Sequence, residues 1–370
     1  MESDSSIFAK LLLGPGPSTV PDRILKSMAN RTISHLDPDF FKMLDETSEN
    51  LRLLFETKNQ TTFAVSGTGS AGMETVFANL IEKNDKVLIF NNGLFGDRMA
   101  DVANRYGANV IEYKKDWGSS FEISEMISQI EQHDNLKIVA IVHAETSTGV
   151  LQDIKKLGEY LKNKEILFIV DAVTSFTGAE LKIDDWGIDV CYSGTQKCLN
   201  VPPGLSPITF NDRSLEKITK RKSKVVSWYL DMNLLQGYLG SNRIYHHTAP
   251  VNMIFALNEG LKICLEEGLD SRITRHKQVG EYFDNKLESS NLITFINSDK
   301  TKSLPMLKSL ILPKNVNDSL VRSKILNERN MEIGGGLGAT KGKIWRVGLM
   351  GCNAKREIVD LFFETTGDYL

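Results

Sequence analysis

Cysteine is scarce in this chain and follows no ligand spacing. The four cysteines, Cys191, Cys198, Cys264 and Cys352, are scattered without a CxxC pair, so neither a disulfide framework nor a zinc site is expected, and a reducing, cytoplasmic setting fits. Long apolar runs are missing too: nothing approaches the roughly 18 uninterrupted apolar residues that suggest a membrane span. There is no excess of either charge, with 44 Lys plus Arg against 47 Asp plus Glu and a net charge of -3. No field therefore favours nucleic acid or an anionic membrane as a partner. The opening MESDSSIFAK carries acids and lacks the basic-then-apolar layout of a signal peptide. Repeats and low-complexity tracts are absent. What is present is an ordinary globular composition, 41% hydrophobic and 25% charged over 370 residues, enough for one large or two ordinary domains.

Strand and helix patterns alternate across about residues 60 to 210, which predicts a parallel, doubly wound sheet. Four of its strands should end in chemistry. Thr62 to Val65 runs into SGTGSAG and a helix beginning near Met73; free N–H groups at such a helix start make an anion site. The text matches GxGxxG at Gly67, Gly69 and Gly72, yet the acid that a dinucleotide fold needs about 20 residues on is missing. The loop is therefore read as a phosphate cup, with a ligand-free glycine turn as the bland alternative. KIVAIV (Lys137 to Val142) is typical of a strand buried on both faces, and it ends in HAETSTG. ILFIV (Ile166 to Val170) stops at Asp171, an acid that is costly there unless paired or at the sheet rim. DVCYSG (Asp189 to Gly194) leads through Thr195 and Gln196 to Lys197, and the turn-rich NVPPG that follows cannot continue as a helix.

A lysine at a strand end can condense with a carbonyl compound once its pKa is lowered, although any lysine taken alone is more simply a solvated surface residue. Phe95, on the short connection after Asn91-Asn92-Gly93, could stack on a flat ring or sit in the core. Arg346, inside the alternating KIWRVGL (Lys343 to Leu349), could clamp a carboxylate by two parallel hydrogen bonds or form a structural ion pair. A phosphate cup, a ring clamp, an anion and an amine on one rim are what pyridoxal phosphate requires.

The chain resembles the class V, fold-type I aminotransferases of the alanine–glyoxylate / serine–pyruvate group. The matching pieces run nearly end to end: LLLGPGPS, VSGTGSAGMET, NNGLFGDR, HAETSTGVLQ, FIVDAVTS, YSGTQKCLNVPPG, RIYHHTAPV and WRVGLMGCNA. The resemblance implies an α/β fold-type I transferase, with a large domain built on a mostly parallel, seven-stranded-type sheet and a smaller C-terminal α+β domain. The expected division is an arm over 1–20, the large domain over 21–267 and the small domain over 268–370. It further implies that Lys197 carries pyridoxal 5'-phosphate as a Schiff base and acts as the proton-transferring base. Asp171 would face the pyridine nitrogen and Phe95 the ring, where relatives often have tryptophan. Thr68, Gly69, Ser70 and Gln196 would hold the phosphate, and Ser147 would approach the ring oxygen. Arg346, with Gly16 and Ser147, would receive the substrate. Tyr245 and Thr248 would reach the cofactor phosphate of the other subunit, making a homodimer with shared active sites. The implied reaction is transamination between alanine or serine and glyoxylate or pyruvate. Ureidoglycine–glyoxylate and aminoethylphosphonate–pyruvate transfer are the alternatives, and a lyase or desulfurase of the same fold stands behind them.

Overall fold

The computed structural model describes residues 10–296, 299 and 302–370. In chain order the strands are β1 (Leu11–Leu13), β2 (Thr61–Ser66), β3 (Lys86–Asn91), β4 (Asn109–Lys114), β5 (Leu136–Val142), β6 (Ala144–Glu145), β7 (Val150–Leu151), β8 (Leu167–Asp171), β9 (Val190–Tyr192), β10 (Leu205–Phe210), β11 (Ile293–Thr294), β12 (Leu307–Ile311), β13 (Met331–Gly335) and β14 (Ile344–Gly348). The large sheet has seven strands in the order β2-β10-β9-β8-β5-β3-β4. From β9 to β4 every pairing is parallel, and β10 alone runs against its neighbours β2 and β9. This is the mixed, mostly parallel sheet of a fold-type I transferase. Its central strands β5 and β8 are buried almost throughout, because helices cover both faces and the side chains between the strand ends are apolar.

Parallel pairing sets the rim. Val142 is in register with Asp171, and Asp171 with Tyr192. The loops after β5, β8 and β9 therefore leave one edge of the sheet side by side, where open α/β sheets gather ligands. Four helices precede or frame that edge: α1 (Asp22–Met28), α2 (Pro38–Phe55), α3 (Gly69–Leu80) and α4 (Leu94–Arg105). Helix α2 begins where Asp37 accepts from the Asp39 N–H, with Pro38 in the first turn, a start that satisfies an otherwise unpaired donor.

A second sheet, β1-β13-β14-β12-β11, has its own hydrophobic core of residues such as Phe283, Trp345, Val347 and Phe362. The stretch Leu11 to Leu13 is not a separate arm. It pairs in parallel with Met331 to Ile333 as the edge strand of this C-terminal sheet, and Leu13 belongs to its core. Apolar side chains on an edge strand gain more from that core than from lying free. Residues 1–9 of the expected arm lie outside the described residues. The helices Val251–Glu267 and Leu269–Leu287 meet at Gly268, whose φ of +81° suits glycine.

Candidate active site

The glycine loop after β2 is occupied by helix sooner than its sequence suggests. Helix α3 starts at Gly69, ahead of the expected Met73, and its cap Thr68 makes no side-chain hydrogen bond to the helix. The N–H groups of the first turn and the Thr68 hydroxyl are thus directed to whatever lies beyond the helix end. Gly72 is demanded by space: a Cβ there would lie 2.1 Å from Ser206 Oγ on β10. Phe95 likewise sits in the first turn of α4 rather than on a loop. Three positions on, the Arg98 guanidinium stands 5.1 Å from the Phe95 ring centre, a cation–π distance.

Lys197 is buried, and its Nζ donates to the carbonyl of Pro15. Gly16 packs directly on it: a Cβ at Gly16 would be 2.8 Å from Lys197 Nζ, and the φ of +109° excludes most other residues. Burial first, then the positive charge of Arg346, brings the lysine down to about 8. A neutral, nucleophilic amine is therefore accessible near neutral pH. Asp171 is pushed up to about 6 by burial, a rise restrained by its bond from the Val173 N–H (2.9 Å), by the neighbouring Tyr192 hydroxyl, and by Lys197 and Arg98. It remains mostly ionised at neutral pH.

These groups converge on one cavity of about 220 Å³. Of the residues singled out from sequence, Thr68, Gly69, Ser70, Phe95, Asp171, Gln196 and Lys197 line it. Ser147 does not. Its side chain is fully buried behind the wall, where its hydroxyl donates to Glu145 at 2.6 Å and accepts from the Leu94 N–H at 3.0 Å. With its one proton committed to a carboxylate, Ser147 has none for a ring oxygen or a substrate. The wall position falls to Thr146, whose hydroxyl is 2.5 Å from that of Thr174. Met73, Arg98 and Val173 also line the cavity and were not singled out. Arg98 had a legible signal, the helical spacing of three from Phe95. Thr146 had none, because a run of Thr-Ser-Thr does not say which hydroxyl turns inward.

Arg346 is buried beside this wall. Its Nε donates to Gly335 O at 2.9 Å and its Nη1 to Thr146 O at 3.2 Å. Burial lowers it to about 10, while Glu145 and Glu332 hold it up. Glu145 and Glu332 act on it only through their charge, and among the described residues its hydrogen bonds go to backbone carbonyls rather than to a carboxylate. Donors on Nη1 and Nη2 are left for an incoming carboxylate. Tyr245 and Thr248 lie elsewhere, exposed and outside the cavity of their own chain.

A helix start with free donors, a buried lysine with a lowered pKa, a buried carboxylate and an aromatic ring surround one cavity, an arrangement that could hold a phosphorylated, carbonyl-bearing group. The buried Oε1 of Gln196 in the same wall has no partner and can accept from a donor in the cavity. The chain belongs to the class-V aminotransferase family, whose model matches residues 13–362. It is 40% identical to an alanine–glyoxylate aminotransferase of Oryctolagus cuniculus, across 95% of this chain and 90% of that protein. It is 37% identical to an (S)-ureidoglycine–glyoxylate transaminase of Bacillus subtilis, across 95% and 88%. Among solved structures, an alanine–glyoxylate aminotransferase from Nostoc sp. superposes with a TM-score of 0.94 at 44% identity, covering 97% of this chain and 94% of that one. The protein is an aminotransferase. No helix among the described residues is long and apolar enough to cross a membrane.

Proposed function

We propose that this enzyme binds pyridoxal 5'-phosphate and transfers the amino group of a small amino acid, alanine or serine, to glyoxylate or pyruvate. The observation that carries the reading is the meeting of Lys197 and Asp171 in one cavity beside the start of α3. The cofactor supplies an electrophilic aldehyde and a ring that takes up an electron pair. The protein supplies the rest. Gly69 and Ser70 offer N–H groups, and Thr68 and Gln196 polar side chains, to the phosphate. Asp171, ionised, keeps a proton on the pyridine nitrogen. Phe95 covers the ring. Lys197 Nζ, as a neutral amine, would take the proton from the substrate Cα and deliver it to the cofactor carbon that receives the amino group, and the second keto acid would reverse that path. Arg346 receives the substrate carboxylate in two parallel hydrogen bonds through Nη1 and Nη2, while its Nε bond to Gly335 holds the guanidinium plane.

The active unit is a homodimer in this reading. Its support is the exposure of Tyr245 at 58% and of Ile244 after the helix Met232–Leu239, with Val226 and Trp228 exposed before it, apolar surface that a second copy can cover. Tyr245 and Thr248 then serve the partner's phosphate site.

The (S)-ureidoglycine donor is kept as a second reading because the relative named for it matches over nearly the same span as the alanine enzymes. A desulfurase has no support in the thiols: Cys191, Cys198 and Cys264 are buried and burial raises all four cysteines, the opposite of a reactive thiolate. The test is a half-reaction screen, in which the cofactor-loaded enzyme is mixed with single amino donors and the visible spectrum followed. Alanine or serine should convert the cofactor fastest. Rapid conversion by ureidoglycine alone would replace the donor, and no conversion by any amino acid would end the transaminase reading.

A further inference from the structure

Glu145 lies next to the site, is fully buried, and has no place in the chemistry described so far. Its carboxylate accepts from the backbone N–H and hydroxyl of Ser147 (3.0 and 2.6 Å), and from the N–H groups of Phe95 (3.5 Å) and Gly96 (3.3 Å) in the first turn of α4. Ser147 in turn accepts from the Leu94 N–H at 3.0 Å. One carboxylate therefore joins the end of β5 to the start of the helix that carries Phe95. The space around it is closed. Gly93 has an extended backbone that any residue could adopt, yet a Cβ there would fall 2.4 Å from Glu145 Cδ and 2.7 Å from Ser147 Oγ. The flanking residue Thr146 lines the cavity and holds Arg346 through its carbonyl.

We propose that Glu145 is a positioning residue: it fixes the Phe95 ring and the Thr146 wall against the cofactor ring by tying the β5 loop to the α4 N-terminus. This rests on the cofactor reading above. Burial pushes Glu145 up to about 7, a rise held back by its bonds from Ser147 and Phe95, and the four contacts are made in full by the ionised form, whose oxygens only accept. In the Glu145→Gln variant, one oxygen can take the place of Oε1 and keep Phe95 and Ser147. The amide nitrogen then faces the Gly96 N–H, donor against donor, at the place where Oε2 now accepts. The first turn of α4 must move away, and Phe95 moves with it.

The test titrates wild type and Glu145→Gln with pyridoxal phosphate, reading visible absorbance and visible circular dichroism, and then measures kcat and KM with alanine and glyoxylate. The variant should bind the cofactor about 10-fold more weakly, the effect of leaving a buried donor unpaired. Its visible dichroism should change, and kcat should fall more than KM rises. Visible dichroism reports the asymmetry around the bound ring, which a contribution to stability alone does not move. Wild-type affinity, dichroism and kcat in Glu145→Gln would overturn the inference. If that variant does not fold, Ser147→Ala decides in its place, with affinity about 3-fold weaker and altered dichroism expected; an unchanged Ser147→Ala overturns it. A wild type that gives no visible signal sinks the cofactor reading and this inference together, whereas a loaded wild type beside an unchanged variant sinks the inference alone.

Discussion

At the scale of single residues, the site sets ionisable groups against their own burial. Asp171 has a folded-state pKa of about 6 against about 3.9 in an unfolded chain. Folding favours its protonated form, so its contribution to stability is present in full below the unfolded pKa and is lost as the pH rises through 6. The loss is about 3 kcal/mol by the usual conversion of pKa to free energy. Cofactor-free Asp171→Asn should therefore melt higher than wild type at pH 8, with the difference fading near pH 4, while transamination falls at least about 100-fold. Equal melting temperatures at pH 8 would mean that the carboxylate costs the fold nothing. Lys197→Ala should lose the visible band and about 100- to 10000-fold in rate. For Arg346→Lys, KM for the keto acid should rise about 10-fold or more, since an ammonium cannot reproduce a two-point clamp. Steady-state kinetics that match wild type would remove Arg346 from substrate binding.

Among the elements, close approaches are bought with glycine. Helix Lys155–Leu161 crosses the end of the segment carrying Trp186 so tightly that a Cβ on Gly158 would lie 1.7 Å from the Trp186 carbonyl oxygen. Backbone cannot rotate away as a side chain can. Gly158→Ala should cost about 1–3 kcal/mol, seen as a lower thermal midpoint, with the cofactor spectrum of the surviving folded protein unchanged. Gly16 holds the equivalent place beside the chemistry. Three residues before it, strand β1 ends in the C-terminal sheet, while its neighbour Pro15 accepts from Lys197 Nζ through its carbonyl. The N-terminal segment thus connects the second sheet to the Lys197 amine.

At the scale of the whole molecule, three buried histidines join distant parts of the chain in neutral form. His276 accepts from the Gly351 N–H at 2.9 Å, and its other nitrogen is 2.8 Å from Arg272 O, so the ring has room for only one proton. Burial lowers His143 and His247 to about 4 and His276 to about 3. A depressed folded pKa gives stability that is present above the unfolded value of about 6.5 and is lost as the pH falls through 4 and 3. An acid titration followed by circular dichroism should show unfolding beginning in that window, and His276→Gln should shift its onset to lower pH. An onset unmoved by that substitution would assign the acid transition to other groups.

The sequence alone determined the sheet and the meeting of Asp171 and Lys197 on one rim of it. Unbroken apolar runs such as KIVAIV and ILFIV are typical of strands covered on both faces, and strands of that kind ending in Asp171 and leading to Lys197 place an acid and an amine on one rim. Those features depend on local pattern and on the direction that parallel pairing imposes. Tertiary structure decided what depends on side-chain direction and on partners far away in the chain. It turned Thr146 inward and Ser147 toward Glu145, because a buried carboxylate takes the nearest free donors. It placed Leu11 to Leu13 on the C-terminal sheet, because an apolar edge strand goes where a core is open to it. It set the Lys197 amine against Pro15, Gly16 and the field of Arg346, because a charge responds to distance in space and not to separation along the chain.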